Sequence, residues 1–148
     1  MRRSQVILRM PVDHVVATLM MHDGTKSDVV LFVPPTEDIG HLLTSGPTFL
    51  PAVRDGRITI IARDAVASIG TPEVVVIPRE DDLPVQRQSA VVTLRSGAKI
   101  EGELRFTAPA GQQRTADYLN EAEPVFAVHA AGTTYVVVKA HVAQVEET

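Results

Sequence analysis

Apolar and polar residues alternate with a period of two along most of the chain, and the alternation is interrupted by Gly, Pro and Asp. That is the pattern of short, half-buried strands joined by turns. Val92, Leu94, Ile100, Leu104 and Phe106 share one parity on either side of Ser96-Gly97, which predicts a hairpin. Gly102 falls on the same parity and predicts a strongly bent strand or a bulge. Further strands are predicted over 125–130, over 133–138 beyond a turn at Gly132, and over 141–145. Between the two groups only residues 115–121 read as helical, one or two turns at most, with Thr115 or Asp117 placed to cap them. Val6 to Met10 and Val74 to Ile77 are candidates for additional strands.

The pattern occurs twice. An offset of 73 aligns Leu19-Met-Met21-His-Asp-Gly24-Thr-Lys26 with Val92-Thr-Leu94-Arg-Ser-Gly97-Ala-Lys99, and an offset of 77 matches Leu42, Pro47 and Phe49 to Leu119, Pro124 and Phe126. An offset of 76 then runs without gaps from Gly56–Ile69 to Gly132–Val145, pairing Arg63 with Lys139 and Val66-Ala67 with Val142-Ala143. Matching Gly, Pro, Phe and basic positions in one order is the signature of an internal duplication. Residues 1–70 form the first module, 71–89 a Pro- and acid-containing linker with one candidate strand, and 90–148 the second module. The helical turn recurs in the first module at 37–43, and Leu42 and Leu119 are placed to plug one end of each module. A module of about 60 residues buries only about 60% of its unfolded surface and is marginal alone, so the two copies are expected to pack together, to oligomerise, or both.

Val92-x-Leu94, Gly97-x4-Gly102-x-Leu104 and, after a gap, Tyr135-Val-Val-Val-Lys139-Ala-His-Val142-Ala-Gln-Val145 resemble the two-part signature of Sm-like proteins. The first copy repeats the second part as Ile60-Ile61-Ala62-Arg63-Asp64-Ala-Val66-Ala-Ser-Ile69. The resemblance implies a mainly β chain of two tandem, small, strongly bent five-stranded Sm-like barrels, each with a short inserted helical turn. It also implies that neighbouring barrels pair edge strands into rings, so that a trimer of this chain would be a pseudo-hexamer. Asp64 and Ala140 stand where the family has a Gly, and the inserted turn around Asp117-Tyr118-Leu119-Asn120 replaces its RNA-contacting loop. The resemblance therefore carries over barrel geometry and no nucleotide contacts. The insertion also resembles uncharacterised small bacterial proteins, which implies no activity.

Composition narrows the chemistry. None of the 148 residues is Cys, so disulfides, thiolate metal sites and Cys nucleophiles are excluded. The net charge of −4 gives no global basic field, and duplex DNA is not expected as a partner. No apolar stretch reaches the roughly 18 residues of a membrane helix, and Arg9, Pro11, Asp13 and His14 interrupt any signal-peptide core after Met1-Arg2-Arg3. A cytoplasmic location without membrane association is the expectation.

No catalytic motif is present: the sequence has no nucleophile elbow, phosphate loop or zinc-protease helix. His14, His22, His41, His129 and His141 have no ligand spacing, and His22-Asp23 with Asp28 reads as an ordinary polar hairpin tip. Neither an enzyme activity nor a cofactor or metal is expected. The leading expectation is a homo-oligomeric scaffold or protein-interaction module, with a protein partner adding a strand at an exposed edge near Val136 to Val138. Single-stranded RNA on a ring face is the alternative, with Lys26, Arg63, Lys99 and Lys139 as phosphate contacts, Tyr118 and Tyr135 free to stack, and Asp117 and Asn120 beside Tyr118. A small-molecule sensor or enzyme subunit with an inter-module pocket near Asp117, Asn120 and His129 is the third.

Overall fold

The computed structural model describes residues 13–35, 37–73, 84–107, 111 and 114–148. The first half runs β1 (Asp13–Met21), β2 (Lys26–Val33), α1 (Ile39–Ser45), β3 (Phe49–Arg54), β4 (Arg57–Ala62), a 3-10 turn (Arg63–Ala65) and β5 (Val66–Pro72). The second half runs through the same succession: β6 (Gln86–Leu94), β7 (Lys99–Phe106), α2 (Thr115–Leu119), β8 (Val125–Ala130), β9 (Thr133–Val138), a 3-10 turn (Lys139–His141) and β10 (Val142–Glu147). The strands take both ends of the segment read as linker, since β5 continues to Pro72 and β6 starts at Gln86. Val6–Met10 and Val74–Ile77 lie outside the described residues.

The strand pairings of the described residues are antiparallel, and in four of them the short turns at 22–25, 55–56, 95–98 and 131–132 require it. The chain is mainly β, but the strands of the described residues form one ten-stranded sheet in the order β10-β6-β7-β8-β9-β5-β1-β2-β3-β4. This sheet is open where two five-stranded barrels were expected. The seam between β9 and β5 fuses the two halves, with Ser68 opposite Val137, Ile69 opposite Val136 and Gly70 opposite Tyr135. Val136 to Val138 is therefore no edge, contrary to the expectation from sequence: β9 pairs with both β8 and β5, and Val137 is fully buried. Among the described residues the outer strands of the sheet are β4 and β10.

Each half has its own core. Leu19, Leu31, Leu42, Leu50, Val66 and Ile69 belong to the first, and Val92, Leu94, Leu104, Phe106, Val128 and Val137 to the second. Because β5 lies in the interior of the sheet, it serves both, with Ile69 in the first core and Ala67 in the second. Val66 to Gly70 are consequently all buried.

The helices show what local sequence does. Asp38 caps α1 by accepting the His41 backbone N–H at 2.7 Å, and the helix stops at Gly46, ahead of Pro47. Its apolar face puts Leu42 and Leu43 into the first core and lies across β8 and β9 of the other half. The later helix has no side-chain cap, because the extended residue before it is Arg114. The expected caps are otherwise engaged: Thr115 is buried, and the Asp117 carboxylate is held by Arg114. Leu119 packs, partly buried, on the second core.

The parity of β7 holds along its length, with Ile100, Leu104 and Phe106 inward, and its register with β6 runs through Gly102 without a bulge. Gly102 sits on that face where β7 crosses to β8, and a Cβ there would lie 2.6 Å from the His129 carbonyl oxygen. Close backbone approach is the reason for this glycine.

Candidate functional site

Lys26 and Lys99 begin β2 and β7, just after the two corresponding hairpin turns. These turns meet, since a Cβ on Gly24 would lie 3.4 Å from the Ser96 side chain. The meeting brings both lysines to one cavity of about 120 Å³ between the halves, lined also by Thr18, Ser68, Tyr135 and the acidic Glu101. Arg63 and Lys139 are placed elsewhere, in equivalent roles. Arg63 Nη1 donates to the Gly46 carbonyl and Lys139 Nζ to the Glu121 carbonyl at 2.9 Å, so each cation ties the 3-10 turn to the loop after the helix of its own half.

The trio at the second insertion is likewise engaged locally. Arg114 donates from Nε and Nη2 to the two Asp117 carboxylate oxygens at 3.2 and 3.3 Å, and this pairing holds the Asp117 pKa below the usual carboxylate range. Tyr118 stacks on Phe106 with ring centroids 4.7 Å apart and planes 7° from parallel, and burial raises its phenol pKa. Asn120 is the exposed residue closing α2, its backbone N–H reaching the Ala116 carbonyl at 3.0 Å.

The histidines are scattered. His14 packs edge-on against Phe32, His41 Nε2 stands 3.7 Å from Glu37 Oε1, and the His22 backbone N–H donates to the Ala65 carbonyl at 2.7 Å. His141 joins the halves, with Nε2 3.0 Å from the Asp64 carbonyl oxygen. At the hairpin tip Asp23 accepts the Thr25 N–H, a bond that lowers its pKa, and Asp28 accepts from Thr18. Among the described residues no three His, Asp or Glu side chains come together where a metal ion could be held.

A charged network escaped the sequence reading. Arg105 donates from Nη1 to Glu73 at 2.8 Å and from Nε to Glu103 at 2.7 Å, and Arg87 reaches the same Glu103 oxygen at 2.9 Å. His129 Nδ1 lies 3.5 Å from Glu73. Glu73 follows β5, within the segment read as linker, so only the tertiary fold brings it to β7 and β8. The two arginines hold the Glu103 pKa down, Arg105 foremost. Burial, aided by the Arg105 charge, holds the His129 pKa below the ordinary histidine value.

The outer face of β3 and β4 is apolar. Phe49, Ile58 and Ile60 are 58%, 65% and 59% exposed. The strand register puts Val125, and not the Phe126 matched in the sequence, at the place of Phe49. Val125, Thr134 and Val136, the counterparts of Phe49, Ile58 and Ile60, are only half-exposed, because they face α1 of the other half around Ile39 and Gly40. The last strands of the two halves differ in the same way. Val66-Ala67-Ser68-Ile69 is buried in β5, whereas Ala143 and Gln144 in the matching Val142-Ala143-Gln144-Val145 of β10 are exposed. The sequence signal for this surface was available as the run Ile58-Thr59-Ile60-Ile61, which has apolar residues on both strand faces.

No helix among the described residues is long and apolar enough to cross a membrane. Comparison with known protein families, curated proteins and solved structures finds no match.

Proposed function

We propose that this chain is a non-enzymatic scaffold or protein-interaction module made of a duplicated, Sm-like β unit, and that it works as a homo-oligomer. The observation that carries this reading is the apolar outer face at β3 and β4, with Ile58 and Ile60 open to solvent on β4, the outer strand, and Phe49 open on β3 beside it. Exposed apolar side chains along an outer strand are what a partner strand covers. Light scattering on a size-exclusion column, with absorbance at 260 and 280 nm, tests it. A defined nucleic-acid-free assembly is expected, and a monodisperse single chain at micromolar concentration would overturn the oligomeric reading.

One observation favours single-stranded RNA as a second reading: Lys26 and Lys99 share a cavity with Tyr135. Arg63, Lys139, Asp117 and Tyr118 add little to that reading, being tied into local contacts. Filter binding that weakens steeply with salt, and weakens again in Lys26→Ala/Lys99→Ala, supports it; no binding at low salt removes it.

A further inference from the structure

We propose that the cavity between the two halves binds the phosphate group of a small molecule, held by the Lys26 and Lys99 ammonium groups and the hydroxyls of Ser68 and Tyr135. The site goes beyond the scaffold reading and stands whether or not the chain assembles.

The strand register builds one side of the cavity. Lys26, Met20 and Ser68 lie directly opposite one another across β2, β1 and β5, and Thr18, Gly70 and Tyr135 form the next row on the same face across β1, β5 and β9. Gly70 contributes no side chain, and the Tyr135 ring takes the space beside it, with Cε1 2.7 Å from where a Cβ would stand. β7 supplies the other side with Lys99, Ile100 and Glu101. The meeting of the hairpin turns at Gly24 and Ser96 brings the two sides together. Ser68, only 1% exposed, places a buried hydroxyl residue in the wall.

Charge then selects the ligand. Lys26 and Lys99 occupy equivalent places in the two halves, so the fusion of the halves sets two like charges at one cavity. Such a convergence is unfavourable until an opposite charge relieves it. Neither ammonium makes a hydrogen bond or ion pair among the described residues, whereas every other described Lys or Arg except Arg57, on the distant β3–β4 hairpin, reaches a carbonyl, hydroxyl or carboxylate. Two carboxylates are near. Glu101 lines the cavity and offsets one of the two lysines, and Asp28, opposite Thr18, accepts from Thr18 Oγ1 at 3.0 Å. That bond uses the Thr18 hydroxyl proton and leaves Ser68 and Tyr135 as the hydroxyl donors.

Size and donor placement favour phosphate. The volume of about 120 Å³, against the roughly 30 Å³ that a water molecule takes in the liquid, admits a tetrahedral oxyanion with a bridging water and is too small to enclose a nucleoside. Donors come from β2, β5, β7 and β9, and phosphate offers acceptor oxygens in as many directions, where a carboxylate offers two in one plane. A single-stranded nucleic acid needs a track of cations along its backbone, and Arg63 and Lys139 are tied to carbonyls of their own halves.

The test replaces chloride by inorganic phosphate at constant ionic strength and follows the thermal midpoint and the backbone amide resonances of the full-length chain. A saturable rise in midpoint is expected, with amide shifts at Ser68 and around Lys26 and Lys99 that saturate at the same phosphate concentration. Lys26→Ala/Lys99→Ala, at exposed positions that leave the core intact, should weaken binding by at least about tenfold. Tyr135→Phe, which keeps the ring and loses the donor, should weaken it severalfold, and Arg57→Ala should leave it unchanged. An equal rise in the double lysine variant would be a general salt effect and overturn the proposal, as would an equal loss in Arg57→Ala. A response that appears only in Glu101→Gln would mean that Glu101 already neutralises the lysines, and overturns it for the native chain. Binding of an oligouridylate without any response to phosphate would overturn it in favour of the RNA reading. The oligomeric state is measured separately by light scattering, so failure here leaves the scaffold reading standing.

Discussion

Two glycines close to neighbouring strands separate backbone crowding from side-chain crowding, and Gly102→Ala is the decisive substitution. Neither Gly102 nor Gly70 has a positive φ, so alanine is limited at both only by space. At Gly102 the new Cβ would stand 2.6 Å from the His129 oxygen, 2.8 Å from Val128 Cγ1 and 3.0 Å from the His129 carbonyl carbon. Carbon–oxygen contacts normally lie at about 3.3 Å or more, so β8 must retreat by roughly 0.7 Å. That shift opens the packing of the fully buried Val128 and Leu104. Overpacking of this kind costs about 1–3 kcal/mol, and the value should fall near the top of that range because a main chain stands opposite. Alanine returns about 0.4–1 kcal/mol by restricting the unfolded chain, leaving a net loss of about 2 kcal/mol. At Gly70 the nearest atoms, at 2.7 and 2.8 Å, belong to the Tyr135 ring, which is partly exposed and able to rotate. Gly70→Ala should therefore lose about 1 kcal/mol or less, and Tyr135→Ala should relieve it. Urea midpoints at unchanged slope measure both. If Gly102→Ala is no less stable than Gly70→Ala, the steric account of the β7–β8 crossing is wrong.

Three further outcomes are expected. Asp38→Ala removes the side chain that accepts the His41 N–H at 2.7 Å and should cost about 1 kcal/mol in urea unfolding, with Asp38→Asn losing clearly less. Tyr118→Ala, which removes the ring stacked on Phe106, should cost about 2 kcal/mol while Tyr118→Phe stays within about 1 kcal/mol; equal losses would mean that the hydroxyl rather than the ring matters. Because the folded His129 pKa lies below its unfolded value, the unfolded chain binds a proton first as pH falls. The stability it contributes is then full above the unfolded value and is lost as pH falls through the folded one. The drop in urea midpoint between pH 7.5 and 5.5 should accordingly be smaller in His129→Asn than in the parent, and an unchanged drop would remove His129 from the account.

Much of the local architecture was readable because it depends on neighbours in sequence. The alternation at Val92, Leu94, Ile100, Leu104 and Phe106 placed the β6–β7 hairpin and its inward face, whereas Gly102, read as a bend or a bulge, answers a close backbone approach from β8. Both helices fell where the alternation failed. The α2 caps were misread because Arg114, which neighbours Thr115 and captures Asp117, is a better ion-pair partner than the backbone N–H groups. Among the candidate site residues, the sequence grouped Lys26, Arg63, Lys99 and Lys139 by charge alone. The fold separates them into a pair at one cavity and two local tethers.

What the sequence by itself determined, then, is the inventory: strands of period two, two short helices, and one order of elements present twice, since these follow from side-chain alternation and turn residues within a few positions of each other. Which strands lie side by side was a tertiary decision. Alternation says which face of a strand is apolar but nothing about which edge it meets, because every backbone edge offers the same N–H and C=O groups. The pairing of β9 with β5 therefore moved the exposed edge from Val136–Val138 to β4, brought Glu73 to Arg105, and left Ile58 and Ile60 at the rim of an open sheet.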